Sequence, residues 1–261
     1  MSIGMYRWRT NNFPMKGLQD RLPHVLILGC GRSGTSIFGE FFKDNPQYEY
    51  FSEPYFDDLS ESQFQSPQAI KVPRESKNHP SDEGLSISVT ATQNLIPTPR
   101  KIYWIVRHPL DAIASLKVGI SRDWGHHPRP TDWKNWLQKP LIERCAHHWN
   151  WINSVGYSKV NHLVSIKHFE DLVLQPKNFA QSLCNDLGLD PNHTAVNHWI
   201  DKVQNENNER FIEAETSRSY STNDHKAKVG RWRENLTNEE VQDSLKIVRD
   251  TAMSFGYRLP D

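Results

Sequence analysis

The chain is 261 residues long and formally neutral, with 31 Lys and Arg against 31 Asp and Glu. Its overall charge therefore draws it to neither nucleic acid nor a membrane surface, and any anion site must be local. The length suits one α/β domain with room for a helical subregion, and no apolar stretch is long enough to span a bilayer.

Residues 1–22 read as a polar N-terminal arm, with Tyr6, Trp8 and Phe13 dispersed in it and no apolar signal core. A single domain is expected over 23–261. His24–Cys30 predicts a strand that enters the loop Cys30-Gly31-Arg32-Ser33-Gly34-Thr35-Ser36, and Ser36–Lys43 predicts a helix. Gln68–Val72 reads as a short strand ended by Pro73. Lys101–Arg107 reads as a strand, followed by a helix over Pro109–Val118 with proline in its first turn. Ser121–Lys139, rich in Trp, His, Arg and Pro, reads as a loop or lid. Leu141–Tyr157 has helical character, with Trp149 and Ile152 on its core face, and His162–Ile166 is a further expected strand. From Pro176 to Asp261 the chain reads as mostly helical around one basic loop, Arg218–Arg233. Strands alternating with helices predict an α/β fold. Its centre is a P-loop-like parallel sheet flanked by helices, and its C-terminal third is mostly helical. Ligands of such sheets bind at the carboxyl ends of the strands.

The chemistry is concentrated in two places. Gly29-x4-Gly34 followed by hydroxyl residues has P-loop spacing, in which loop N–H groups and a helix N-terminus cradle a phosphate. The Lys of an NTPase P-loop is replaced by Thr35, which argues against ordinary ATP or GTP chemistry, and Arg32 is a candidate replacement cation. Farther on, Arg107 ends a strand and Ser115 follows eight residues later across a helix N-terminus. The pair can converge on one phosphate. His126-His127 and His147-His148 lack helical metal-ligand spacing. Cys30, Cys145 and Cys184 fit neither a zinc site nor a disulfide framework, so no metal and a reducing, cytoplasmic setting are expected.

Together these motifs resemble the sulfotransferases that use 3′-phosphoadenosine 5′-phosphosulfate (PAPS). Arg32 to Ser36 is similar to that family's 5′-phosphosulfate loop, and Arg107 to Ser115 to its 3′-phosphate motif. Phe169-Glu170-Asp171-Leu172, Gln175-Pro176 and Leu183 to Leu189 resemble a further family segment. Val229-Gly230-Arg231-Trp232 resembles the C-terminal GxW loop. The resemblance implies PAPS as donor, adenosine 3′,5′-bisphosphate (PAP) as product, and a hydroxyl-bearing acceptor: a sugar, lipid, small alcohol or tyrosine. It implies donor contacts from Gly31, Arg32, Ser33, Gly34, Thr35, Ser36, Arg107, Ser115, Lys226, Lys228, Gly230 and Arg231. It also implies a general base. Glu53 fills that role in the tyrosylprotein and carbohydrate branches' layout, since Ile70-Lys71-Val72-Pro73-Arg74 lacks the His of the cytosolic branch. Lys71 is then a candidate cation near the bridging oxygen, against the alternative of a strand-edge charge. Two rival readings remain open: a P-loop phosphotransferase or kinase, which needs a Mg²⁺-holding acid, and a non-catalytic nucleotide-binding protein of the same fold.

Overall fold

The structure, a computed structural model, describes residues 22–59, 64–75, 78, 81–121, 123–203 and 229–261. All but the last residue of the expected arm, and also Lys226 and Lys228, lie outside the described residues.

Five strands, β1 (His24–Gly29), β2 (Glu49–Ser52), β3 (Gln68–Lys71), β4 (Arg100–Val106) and β5 (Ser165–His168), form one parallel sheet in the order β2-β3-β1-β4-β5. The strands alternate their side chains between two apolar layers. Val25, Ile27, Tyr103 and Ile105 face one layer; Leu26, Leu28, Ile102, Trp104 and Val106 face the other. Burial on both faces explains why β1 and most of β4 read as apolar runs. The helices are α1 (Thr35–Lys43), α2 (Val89–Leu95), α3 (Pro109–Ile120), α4 (Trp133–Trp136), α5 (Leu141–Trp151), α6 (Tyr157–Val160), α7 (Phe169–Leu174), α8 (Pro176–Leu187), α9 (Thr194–Val203), α10 (Trp232–Asn235) and α11 (Asn238–Ser254). α1, α8 and α9 cover the first layer, where Trp199 Nε1 donates to the Ile37 carbonyl at 2.9 Å. α3, α5 and α11 cover the second. The chain leaves β1 towards β2 and β3 on one side and crosses to β4 and β5 on the other. The loops therefore part at the C-terminal end of β1, where such sheets bind ligands.

Two sequence expectations need correction. The strand expected at His162–Ile166 lies at Ser165–His168, because a turn closed by Leu163 N–H on the Val160 carbonyl (2.8 Å) takes up its first residues. The helical character expected over Leu141–Tyr157 is present, with Trp149 and Ile152 in the core, and it includes a π-helical turn at Ile152–Gly156. There Asn153 bonds both Trp104 Nε1 (3.0 Å) and the Trp149 carbonyl (2.9 Å), and Gly156 packs directly on the Gly84 backbone. The Ser121–Lys139 segment is not a simple lid: Trp124 is fully buried, His126 is buried, and α4 lies within it. β2 was not anticipated, since four half-exposed residues at a sheet edge carry little pattern.

Candidate active site

A cleft of about 600 Å³, including space open to solvent, lies over the C-terminal ends of β1 and β3. Its floor is the loop after β1. Arg32 (φ 66°) and Gly34 (φ 96°) take left-handed backbone there and turn the chain into α1. Gly34 is required twice over, because a Cβ at that position would also sit 2.3 Å from Phe169 Cδ2. The first turn of α1 then presents orphan N–H groups and the positive end of the helix dipole to the cleft. Gly31, Arg32, Thr35 and Ser36 line it. Ser33 is fully buried, with its N–H turned to the Cys30 carbonyl at 3.2 Å.

The side wall comes from paired kinks at the ends of β2 and β3. Ser52 pairs with Lys71. The ladder breaks, then resumes with Arg74 N–H on the Pro54 carbonyl (2.7 Å) and a Tyr55–Arg74 bridge. Within the break, Glu53 (φ 53°) and Val72 (φ 40°) are both left-handed. Such backbone costs ~1–3 kcal/mol per residue and clusters at functional sites. Val72 is pinned by its N–H on the Ile27 carbonyl, and Glu53 by its N–H on the Lys71 carbonyl, both at 2.8 Å. The kinks bring three charged side chains together. Glu53 Oε1 accepts from Lys71 Nζ at 2.9 Å, and Glu53 Oε2 from Arg74 Nη2 at 3.0 Å. Lys71 Nζ also donates to Ser36 Oγ at 3.1 Å, tying the wall to the loop.

Lys71 is not an edge charge. It is 2 % exposed on an inner strand, and burial lowers its ammonium to about 8; Arg74 and Arg32 act in the same direction, Glu40 against it. An anion entering the cleft favours the charged form, so PAP binding at pH 8.5 should take up a proton. Affinity should fall as pH rises through that range. Calorimetry in buffers of different ionisation enthalpy checks this, and Lys71→Met should abolish the uptake.

The second motif is adjacent. Arg32 Nε donates to Ser115 Oγ at 3.2 Å, and Arg107 Nη1 to the Arg32 carbonyl at 3.2 Å. The Arg107 guanidinium is 2 % exposed and lies 4.1 Å over the Phe169 ring. Burial lowers it to about 10, with Asp111 opposing, so it stays charged at neutral pH. His108 has a structural place: its N–H donates to Glu170 Oε1 at 2.8 Å, and its ring lies parallel to that of Trp232. Asp111 brings in the C-terminal motif, accepting from Gly230 N–H (2.7 Å) and Trp232 N–H (2.9 Å). Arg231 is thereby buried within electrostatic reach of Arg107. Asp111→Asn keeps only one good acceptor for these two N–H groups. It should cost roughly 1.5–3 kcal/mol in denaturant unfolding.

Of the expected residues, the structure brings together Gly31, Arg32, Thr35, Ser36, Glu53 and Lys71 around the cleft, with Arg107, Ser115, Gly230 and Arg231 beside them. Arg74 was missed. It stood in the quoted Ile70–Arg74 run, but its pairing with Glu53 depends on the kinks. Among the described residues no group of three or more His, Cys, Asp or Glu is placed to hold a metal.

No curated protein matches the chain in sequence. Among solved structures the chain is similar to mouse sulfotransferase SULT7A1 complexed with PAP (15 % identity, 88 % of this chain and 83 % of that one, TM-score 0.60). It is also similar to retinol dehydratase in complex with androsterone and PAP (12 %, 92 % and 83 %, TM-score 0.53). A third similar structure is the sulfotransferase domain of the Synechococcus PCC 7002 olefin synthase (15 %, 96 % and 100 %, TM-score 0.51). At these identities the likeness concerns the fold. The family model for the sulfotransferase domain matches residues 22–256, nearly the whole chain, so the protein belongs to the sulfotransferase family.

Proposed function

We propose that this sulfotransferase moves a sulfonate from PAPS to a hydroxyl acceptor by in-line displacement, with Glu53 as general base. The observation that carries the reading is the join between the phosphate loop and the Glu53 wall through Lys71. The residues fit such a donor: Arg32 and Arg74 line the cleft with Glu53, and the buried Lys71 reaches Glu53 and Ser36 from β3 behind its wall. The family comparison and the PAP-bound neighbours support it. When bound, the donor supplies a sulfonate activated by its link to a phosphate. Loop N–H groups, Arg32 and Lys71 hold the oxygen on which charge develops. Arg107 and Ser115 address the 3′-phosphate, with Gly230 and Arg231 behind them; Lys226 and Lys228 are assigned the same role from sequence.

Glu53 must free one oxygen to receive a proton. Lys71 is enclosed, whereas Arg74 is 41 % exposed, so the Arg74 contact is the one that gives way. The acceptor hydroxyl therefore approaches Oε2 from the open side. Retinol dehydratase is crystallised with androsterone, a hydroxyl compound; here the acceptor is proposed only as an alcohol or phenol. A sulfonate carries less charge than a terminal phosphate, and the cleft's cations meet it without Mg²⁺. Transfer should persist in EDTA. Abolition by EDTA with recovery on added Mg²⁺ would favour the phosphotransferase reading.

A further inference from the structure

After α3 the chain reverses through two consecutive left-handed residues, Asp123 (φ 52°) and Trp124 (φ 50°). This costly reversal is held by Trp124, which is fully buried and donates from Nε1 to His148 Nδ1 at 3.1 Å. Gly125 N–H on the Gly119 carbonyl, at 2.8 Å, closes it. The next residue, His126, is thereby laid into the cleft floor beside Arg32 and Ser36. Its ring occupies space that two glycines leave open. A Cβ at Gly31 of the phosphate loop would sit 2.8 Å from His126 Nδ1, and one at Gly119 would sit 2.0 Å from Nε2.

The surroundings of the imidazole disfavour its charged form. Burial lowers its pKa well below the usual value, and His148, Arg32 and His127 all press the same way. A neutral ring cannot serve as a salt-bridge cation, but it offers one N–H donor. Nδ1 is the nitrogen set against the loop.

We propose that His126 is a catalytic residue whose Nδ1–H donates to a sulfonate oxygen of the bound donor, a contact PAP cannot make. This rests on the donor reading above. A preorganised neutral donor in a dry floor stabilises the charge of the transferring group without binding the departing phosphate more tightly.

Calorimetry with PAPS and with PAP, without acceptor, tests it. His126→Phe keeps a ring between the glycines and should lower PAPS affinity roughly 10- to 100-fold while leaving PAP affinity unchanged. His126→Asn, whose amide can stand in for Nδ1–H, should restore most of the PAPS affinity. Equal losses for both nucleotides, or no loss, would overturn the assignment. Should the Phe variant fail to fold, the wild-type His126 nitrogen resonances decide. They should shift with PAPS and not with PAP; the same response to both would overturn it. A wild type that binds neither nucleotide would sink the donor reading itself, and this role with it.

Discussion

Glu53→Gln should lower the rate of sulfonate transfer by ~10²–10⁴, the range for loss of a positioned general base, while leaving PAP affinity nearly unchanged. The carboxylate meets Lys71 and Arg74 at the wall of the cleft, not the loop that would hold the nucleotide. Glutamine is close in size and can accept from one cation through its carbonyl, so the fold should survive, but it cannot take the acceptor's proton. Rapid-quench transfer assays and calorimetry on the same preparation check both halves. Normal turnover in the variant would move the base elsewhere. A matching loss of PAP affinity would mean that Glu53 holds the donor site together instead.

PAP should bind more tightly than AMP by ~1.5–3 kcal/mol for each charged partner of the 3′-phosphate, or about 10- to 150-fold. Arg107→Ala should erase most of that difference. The guanidinium is enclosed between Phe169 and the Arg32 carbonyl, so its truncation should also reduce stability. Ser115→Ala is the cleaner partner experiment. It removes a hydroxyl that accepts from Arg32 Nε, and should cost PAP affinity with little effect on unfolding. Equal affinity for PAP and AMP in the wild type would remove the 3′-phosphate assignment.

The phosphate loop was legible because its chemistry is local. Glycines, hydroxyls and an arginine must follow one strand at fixed offsets, and each is visible in a single run from Gly29 to Ser36. The same holds for Arg107 and Ser115, which one helix turn system places together. The burial of Ser33 within that run was not legible from spacing alone. The charge of Lys71 and the carboxylate of Glu53 could be nominated separately. Their contact, and the part played by Arg74, arise from matched kinks at Glu53 and Val72, where non-glycine residues take angles that sequence preferences disfavour. The same reason hid His126. Trp and His in a polar, Pro-rich stretch read as a loop or lid, and the buried Trp124–His148 bond with the Gly125–Gly119 bond turns that stretch back into the cleft floor.

The most direct test of the whole account is transfer itself. The protein is incubated with PAPS carrying labelled sulfur and an extract of its own cells, with EDTA present. The label should move to a hydroxyl compound in wild type and remain on the donor with Glu53→Gln. Label that never leaves PAPS, alongside phosphoryl transfer from ATP that needs Mg²⁺, would contradict it.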